Sequence, residues 1–446
     1  MERSDFIKII NSIENDFPVI DWKYFDMHIW PIVKKDIFFI WNDIEKPKQK
    51  KRKHNEFKVV LEFLNSIVRL LGTKVFLRGL DTVFLGASSH RVKYGNKFVN
   101  RYFYPLIEKR SKKIYLQLEY GEKKTDEIYD RSIPTVFLNN TIKIFSRMAK
   151  PLQQHFSAKE LHKVFRTLES QLNLDLSVYE KDVVRRVNII HNTAVFFETV
   201  FKFIKPKRII GLCYYKNDMF GAHYAANKLG IENADMQHGG QGNLHPMYFF
   251  SKLPANGFNT LPETFYCWDN ASANNIRAWL KYQQFHKVVV FGNPWIEFQL
   301  TRFQNKKLTS KKIVLYTLQE GALDPYILDA IKMTQTDYEW WLRLHPRMLI
   351  AKENIQRQLE DRNLLDFVEI EKATELPLPI LLKNSSVHIS KYSGSIIEAV
   401  QTNTPNIIID KIGVDTYNEY VKSGDAKVVI SKDVKELVDI INSVSQ

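Results

Sequence analysis

The chain has 446 residues, room for two ordinary domains or three small ones. A hydrophobic fraction of 44% with 26% charged residues excludes a disordered or collagenous chain and leaves the globular class. The excess of Lys and Arg leaves +14, which calls for an anionic partner: nucleic acid, acidic lipid headgroups or a phosphorylated substrate.

The start, MERSDFIKIINSIEND, is charged from its second residue and carries no signal-peptide pattern. No run of about 18 apolar residues is present, so no bilayer-spanning segment is expected. Cys213 and Cys267 sit in apolar runs without motif spacing and read as buried thiols, which suits a reducing cytoplasm.

Residues 1–75 read as a helical N-terminal extension rich in aromatics, among them Trp22, Trp30, Phe38 and Trp41. The run KPKQKKRKH at 46–54 reads as a solvated basic loop or, beside those aromatics, as a contact for anionic lipid. TVFLGA, 82–87, is the first buried strand, and 113–118 is a second. Residues 135–205 have few glycines or prolines and predict a helical insertion. The strand–helix rhythm resumes at RIIGLCYY, 208–215, followed by a helix over 218–229 that Gly230 stops. A strand over 232–236 runs into QHGGQGN; strands at 264–268 and 287–291 bracket a helix over 272–280.

A polar, basic stretch at 302–311 reads as a linker, after which a second series begins with KIVLYTL at 312–318. Strands follow at 339–344, ending in HPR, at 366–370, 387–389, 406–409 and 426–430, with a terminal helix over 432–443. Two alternating β/α series imply an α/β protein with two doubly wound, Rossmann-like domains facing a cleft, spanning 76–300 and 312–446, with ligands at the carboxyl ends of the strands.

Four loops at such ends carry the chemistry: 237–242, 319–321, 343–347 and 390–398. In the last, Ser395 and Glu398 have capping-box spacing. The Ser393–Gly394–Ser395 turn at a helix start would direct N–H groups and hydroxyls at one point, which suits a phosphate. A capped helix of any α/β domain fits the same residues. His238 reads either as a hydrogen-bonding loop residue or as a base, and its glycines either as positive-φ positions or as room for a substrate.

Taken in order, MQHGG (236–240), GNP (292–294), LHPR (344–347) and KYSGSIIEA (391–399) resemble GT-B glycosyltransferases of bacterial surface polysaccharide synthesis. The resemblance is to capsule Kdo and sialic acid transferases and to CDP-glycerol polymerases of teichoic acid synthesis, over roughly 205–430. It implies a nucleotide-sugar donor, CMP- or CDP-linked by the lean of the HP motif. Gln319, Gly321, Arg343, His345, Arg347, Ser393, Gly394, Ser395 and Glu398 would bind that donor. A glycan or lipid-linked acceptor would lie near Gln237, Gly239 and His90. His238 would be the catalytic base, with Asp235 and His90 in reserve; Gln237 stands where the teichoic acid polymerases have tryptophan. Direct transfer with a side-chain base inverts the anomeric carbon. The cations come from the protein, so no cofactor and no metal is expected, and no Asp-x-Asp or His/Cys ligand spacing is present. The expectation is thus a cytoplasmic transferase with peripheral contact to an anionic membrane and no nucleic acid. Its rivals are a CDP-glycerol or CDP-ribitol polyol phosphotransferase and, on charge alone, a non-enzymatic nucleic-acid-binding protein.

Overall fold

A computed structural model describes residues 2–42, 56–76, 80–109, 114–121, 128–130, 132–148, 158–242, 244–303 and 307–445. The basic run at 46–54 lies outside the described residues. The chain divides into two compact units, Met1–Gly292 and Asn293–Gln446. The division falls ahead of the polar stretch 302–311.

The first unit is built on seven strands: β1 (Thr82–Ala87), β2 (Tyr115–Tyr120), β3 (Thr135–Phe137), β4 (Arg208–Leu212), β5 (Glu232–Met236), β6 (Thr264–Cys267) and β7 (Lys287–Val290). Their spatial order is β3-β2-β1-β4-β5-β6-β7, and every pair is parallel. Parallel strands need crossovers and buried faces, which is why TVFLGA is buried along its whole length. The order reverses between β1 and β4. Loops leaving these two strands diverge and open a crevice at the carboxyl edge.

Helices cover both faces. On one, α1 (Arg3–Asp16) and α2 (Trp30–Trp41) share a core with α5 (Ala158–Leu172) and α6 (Ser177–Ile204), through Phe6, Ile10, Trp30, Val33, Phe165 and Val183. On the other, α3 (Glu56–Phe76) and α4 (Asn139–Met148) meet the latter half of α6 and α7 (Asn217–Lys228). The first two helices are therefore part of this unit's core rather than an extension. A buried pair fixes them: Lys34 Nζ donates to Glu14 Oε1 at 2.9 Å, Trp30 Nε1 donates to the same oxygen at 2.8 Å, and Ser251 N donates to Oε2 at 2.6 Å. A buried carboxylate costs little only when its lone pairs are satisfied in this way. The expected helical insertion begins after β3, since 135–137 joins the sheet.

The second unit holds β8 (Lys312–Thr317), β9 (Tyr338–Arg343), β10 (Val368–Glu369), β11 (Val387–Ser390), β12 (Asn406–Ile408) and β13 (Lys427–Val428). Their order is β10-β9-β8-β11-β12-β13, again all parallel, reversing between β8 and β11. Its helices include α8 (Pro294–Arg302), α9 (Pro325–Thr334), α10 (Leu378–Asn384), α11 (Ser395–Gln401) and α12 (Val434–Val444). α8 packs on α10, which explains why the division precedes it. Each unit thus has the doubly wound organisation that the two β/α series imply.

Candidate active site

In the first unit, β1 runs into a single turn of 3-10 helix, Ser88–His90, and then an antiparallel hairpin, Arg91–Tyr94 with Lys97–Asn100. The Arg91 guanidinium, stacked 3.5 Å from the Tyr129 ring centre, grips the buried Glu119 carboxylate at the end of β2. Asn100 Oδ1 accepts from the N–H groups of Tyr102 and Phe103, at 3.1 and 3.4 Å. These contacts set His90, Arg101 and Tyr102 at the switch point. The other side is supplied by Tyr214–Lys216 after β4 and by the QHGG loop after β5.

His238 lies where the three loops meet. Its ring is 6.1 Å from that of His90, centre to centre, and its Nε2 lies 3.4 Å from the Tyr215 hydroxyl. Nδ1 is buried beside the Met236 carbonyl without a well-formed hydrogen bond. The Tyr102 hydroxyl donates to the His238 carbonyl at 3.0 Å, so the loop backbone is held independently of the imidazole. A Cβ at Gly239 would touch nothing within 4 Å, so there is room at that position of the loop. Gly239 is not among the residues with positive φ, so space rather than backbone conformation distinguishes it.

Burial pushes the His238 pKa down to about 4, and the cations of Arg101 and Lys216 act the same way. His90 is pushed to about 3 by burial, then by His238, Arg101 and Lys216. Both rings are neutral at pH 7 and have a lone pair to offer. Asp235, the reserve base, stands in a different environment. It is wholly buried, neither carboxyl oxygen has a well-formed hydrogen bond among the described residues, and burial raises its pKa well above its ordinary value, against a weaker opposing contact from the Tyr214 backbone. Burial thus opposes the charged carboxylate at Asp235, where it favours the neutral imidazole at His238.

Gln237 is committed to the scaffold. Its Nε2 donates to Gly239 O and Ser272 Oγ, each at 3.0 Å, and its Oε1 accepts from Trp268 N at 2.7 Å. It ties the loop to the end of β6. Sequence reading missed Tyr102, Tyr215 and His245, whose ring centre is 5.3 Å from that of Tyr215. The available signal was the Tyr214–Tyr215 pair directly after β4, a strand that flanks the reversal of order.

In the second unit the reversal brings together the loops after β8 and β11, so residues 319–321 and 390–395 meet. Gln319 is the clasp: its Nε2 donates to Ser390 Oγ at 3.1 Å, and its Oε1 accepts from the N–H groups of Lys391 and Tyr392 at 3.2 and 3.3 Å. The Lys391 and Tyr392 N–H groups are thereby satisfied within the protein. Lys391 Nζ is paired with Glu320 at 2.5 Å and Asp324 at 2.9 Å. Burial works against its charge, but the two carboxylates outweigh burial and raise its pKa. The expected capping box does not form. Gly394 is the N-cap, Ser395 is the first helical residue, and its hydroxyl turns inward to Thr317 Oγ1 at 2.8 Å. Ser393 Oγ instead accepts from Ser395 N at 3.2 Å.

Below this turn runs a buried chain of polar groups. Asn406 Nδ2 donates to Ile396 O at 3.1 Å, which directs Oδ1 at His388 Nδ1, 2.8 Å away. Nδ1 must then carry the proton, so Nε2 accepts from Thr317 Oγ1 at 2.9 Å. Burial keeps His388 neutral by pushing its pKa to about 4. The turn thus stands on a fully paired support. Gly413 closes it from the side, since a Cβ there would come 1.9 Å from the Lys391 carbonyl oxygen. Gly413→Ala should displace the turn and destabilise the protein by about 1–3 kcal/mol, an overpacking cost. Thermal unfolding checks this, and an unchanged melting temperature would refute the close approach.

The other residues expected to bind a donor are spread along the same edge. Arg343 Nη1 donates to the carbonyls of Ala373 and Leu376, at 2.7 and 2.6 Å, and so anchors the neighbouring short helix. His345 is exposed after β9, and Arg347 follows in the 3-10 turn Pro346–Ala351, its side chain outside the described residues. The Gly321 carbonyl accepts from Asn354 Nδ2 at 2.9 Å. Glu398 is 5% exposed, one turn into α11. Among the described residues no group of three or more His, Cys, Asp or Glu could hold a metal ion, and Cys213 and Cys267 are both free and buried.

No family model and no curated protein matches this chain. Solved structures do. UDP-GlcNAc 2-epimerase from Neisseria meningitidis bound to UDP-GlcNAc is 16% identical, with a TM-score of 0.49 over 82% of this chain and 91% of that one. The enzyme of the same name from Methanocaldococcus jannaschii is 14% identical, with a TM-score of 0.46 over 81% and 92%. The lipopolysaccharide outer core galactosyltransferase WaaB, in its apo form, is 13% identical, with a TM-score of 0.44 over 82% and 90%. At these values the likeness bears on neither substrate nor chemistry.

Proposed function

We propose that this chain is a metal-independent, inverting glycosyltransferase of the GT-B type. It would move a sugar from a nucleotide-sugar donor to a glycan or lipid-linked acceptor in bacterial surface polysaccharide synthesis. The observation that carries this reading is the neutral His238 imidazole at the point where strand order reverses in the first sheet, in a loop where Gly239 has free space at its Cβ position. The motif resemblance supplies the donor class.

In this reading the acceptor binds the first unit, and His238 takes the proton of its attacking hydroxyl. The new C–O bond forms at the anomeric carbon as the bond to the donor phosphate breaks, and the electron pair leaves with the nucleotide. The charge appearing on that phosphate is met in the second unit by His345, Arg347 and the Ser393–Gly394 turn. The Ser393 and Gly394 N–H groups donate to nothing among the described residues, which leaves them for this task.

Thermal shift against CMP, CDP, UDP, GDP and their sugars tests the donor half. One nucleotide series should raise the melting temperature, because ligand that binds only the folded state stabilises it. His345→Ala and Arg347→Ala should each reduce that shift while unliganded stability holds. If no nucleotide stabilises the parent protein, the proposal fails. If both variants respond as the parent does, the donor pocket lies elsewhere.

A further inference from the structure

α3 leaves a row of large apolar side chains in solvent. Leu61, Leu64, Val68 and Leu71 are 49%, 51%, 64% and 51% exposed. At about 100° per residue their 3-4-3 spacing puts them on one side of the helix. Buried Ser66 and Leu70 mark the packed face, where Ser66 meets Thr141 of α4 and Leu70 joins the core below the sheet. At that pitch the row centres on the side of the helix away from those two residues, and Glu62, Asn65 and Arg69 fill one flank between the row and the packed face. α3 thus turns to solvent an apolar row that its own unit does not cover. Scattered exposed leucines are ordinary, but a continuous row about 15 Å long is not.

We infer that this row docks on a bilayer containing anionic lipid, with α3 lying in the plane of the interface and its leucines among the acyl chains. Three observations favour lipid over a second copy of the chain. The protein carries +14, and pairing two copies brings like charge together. The sequence places Lys46, Lys48, Lys50, Lys51, Arg52 and Lys53 just ahead of this helix, and basic residues near an anionic surface add attraction residue by residue. Among the described residues no helix is long and apolar enough to cross a membrane, and a helix with one apolar and one polar flank is the kind that lies flat. This inference does not depend on the enzymatic reading.

Co-sedimentation of the full chain with vesicles tests it. One set is phosphatidylcholine alone and the other is mixed with phosphatidylglycerol, each at low and high salt. The parent should sediment with the mixed vesicles at low salt and far less with phosphatidylcholine. The double variant Leu64→Gln/Val68→Gln should bind about a hundredfold less or worse, the loss expected on removing two buried apolar side chains. Its melting temperature should match the parent's, because both side chains are exposed. Three results would overturn the inference: a parent that ignores the mixed vesicles, a double variant that binds as the parent does, or equal binding to both vesicle types. A parent that is dimeric in solution, with the double variant monomeric, would assign the row to a second copy and overturn it as well.

Discussion

Replacing His238 with alanine should lower turnover by about 100-fold to 10,000-fold, the usual contribution of a positioned general base. The variant should fold. The loop is held by the Tyr102 hydroxyl on the His238 carbonyl and by the three hydrogen bonds of Gln237, none of which uses the imidazole. Donor affinity should barely change, since the donor is assigned to the second unit. The pH profile is the sharper readout. An ordinary histidine would give an acid limb near 6.5, but burial and the nearby cations move His238 to about 4. The limb should therefore lie low, and activity should persist through mildly acid conditions until the fold itself gives way. A stable variant retaining more than about a tenth of parental turnover would exclude the base role. Loss of donor affinity in its place would make His238 a phosphate-binding residue.

Acid should destabilise the protein well above the range where carboxylates titrate. Burial pushes His90 and His245 to about 3, and His223, His238, His286 and His388 to about 4. In the unfolded chain each titrates near 6.5. Between these values the unfolded state binds more protons than the folded one, so stability is present above pH 6.5 and is lost as the pH falls towards 4. A fully buried group moved by two and a half pH units contributes roughly 3 kcal/mol, so His223 and His388 alone approach the roughly 5–15 kcal/mol that holds an ordinary domain together. Two carboxyls act in the opposite sense. Burial raises Asp218 to about 6 and Asp235 well above its ordinary value, so these favour the folded state on acidification. The six histidines all act in the destabilising sense. Denaturant titrations from pH 7 down to pH 4.5 should show a steep fall in stability. A flat profile across that window would mean that these rings are not held neutral by the fold.

The sequence by itself determined the two β/α series, and it did so through local chemistry. Runs such as TVFLGA and KIVLYTL are apolar on both faces, as strands of a covered parallel sheet must be, and Gly230 stops the helix before it where a positive φ is needed. It also placed the polar loops at strand ends, because each follows an apolar run directly. Tertiary structure alone decided which ends meet. Strand order puts β1 beside β4 and β8 beside β11, so His90 comes to His238 and Gln319 to Lys391 across long separations in the chain. The fate of each polar group follows from that pairing. Gln237 became scaffold and Ser395 turned away from its capping position, each because a partner arrived from another strand. Trp268 N–H fixed the first and Thr317 the second. α1 and α2 look detachable in sequence, yet they close one face of the first sheet, because Glu14 and Lys34 satisfy each other only once both are buried. The protonation of His238 and Asp235 is decided in the same way. Desolvation and neighbouring charge set a pKa, and both depend on residues that no local pattern can bring near.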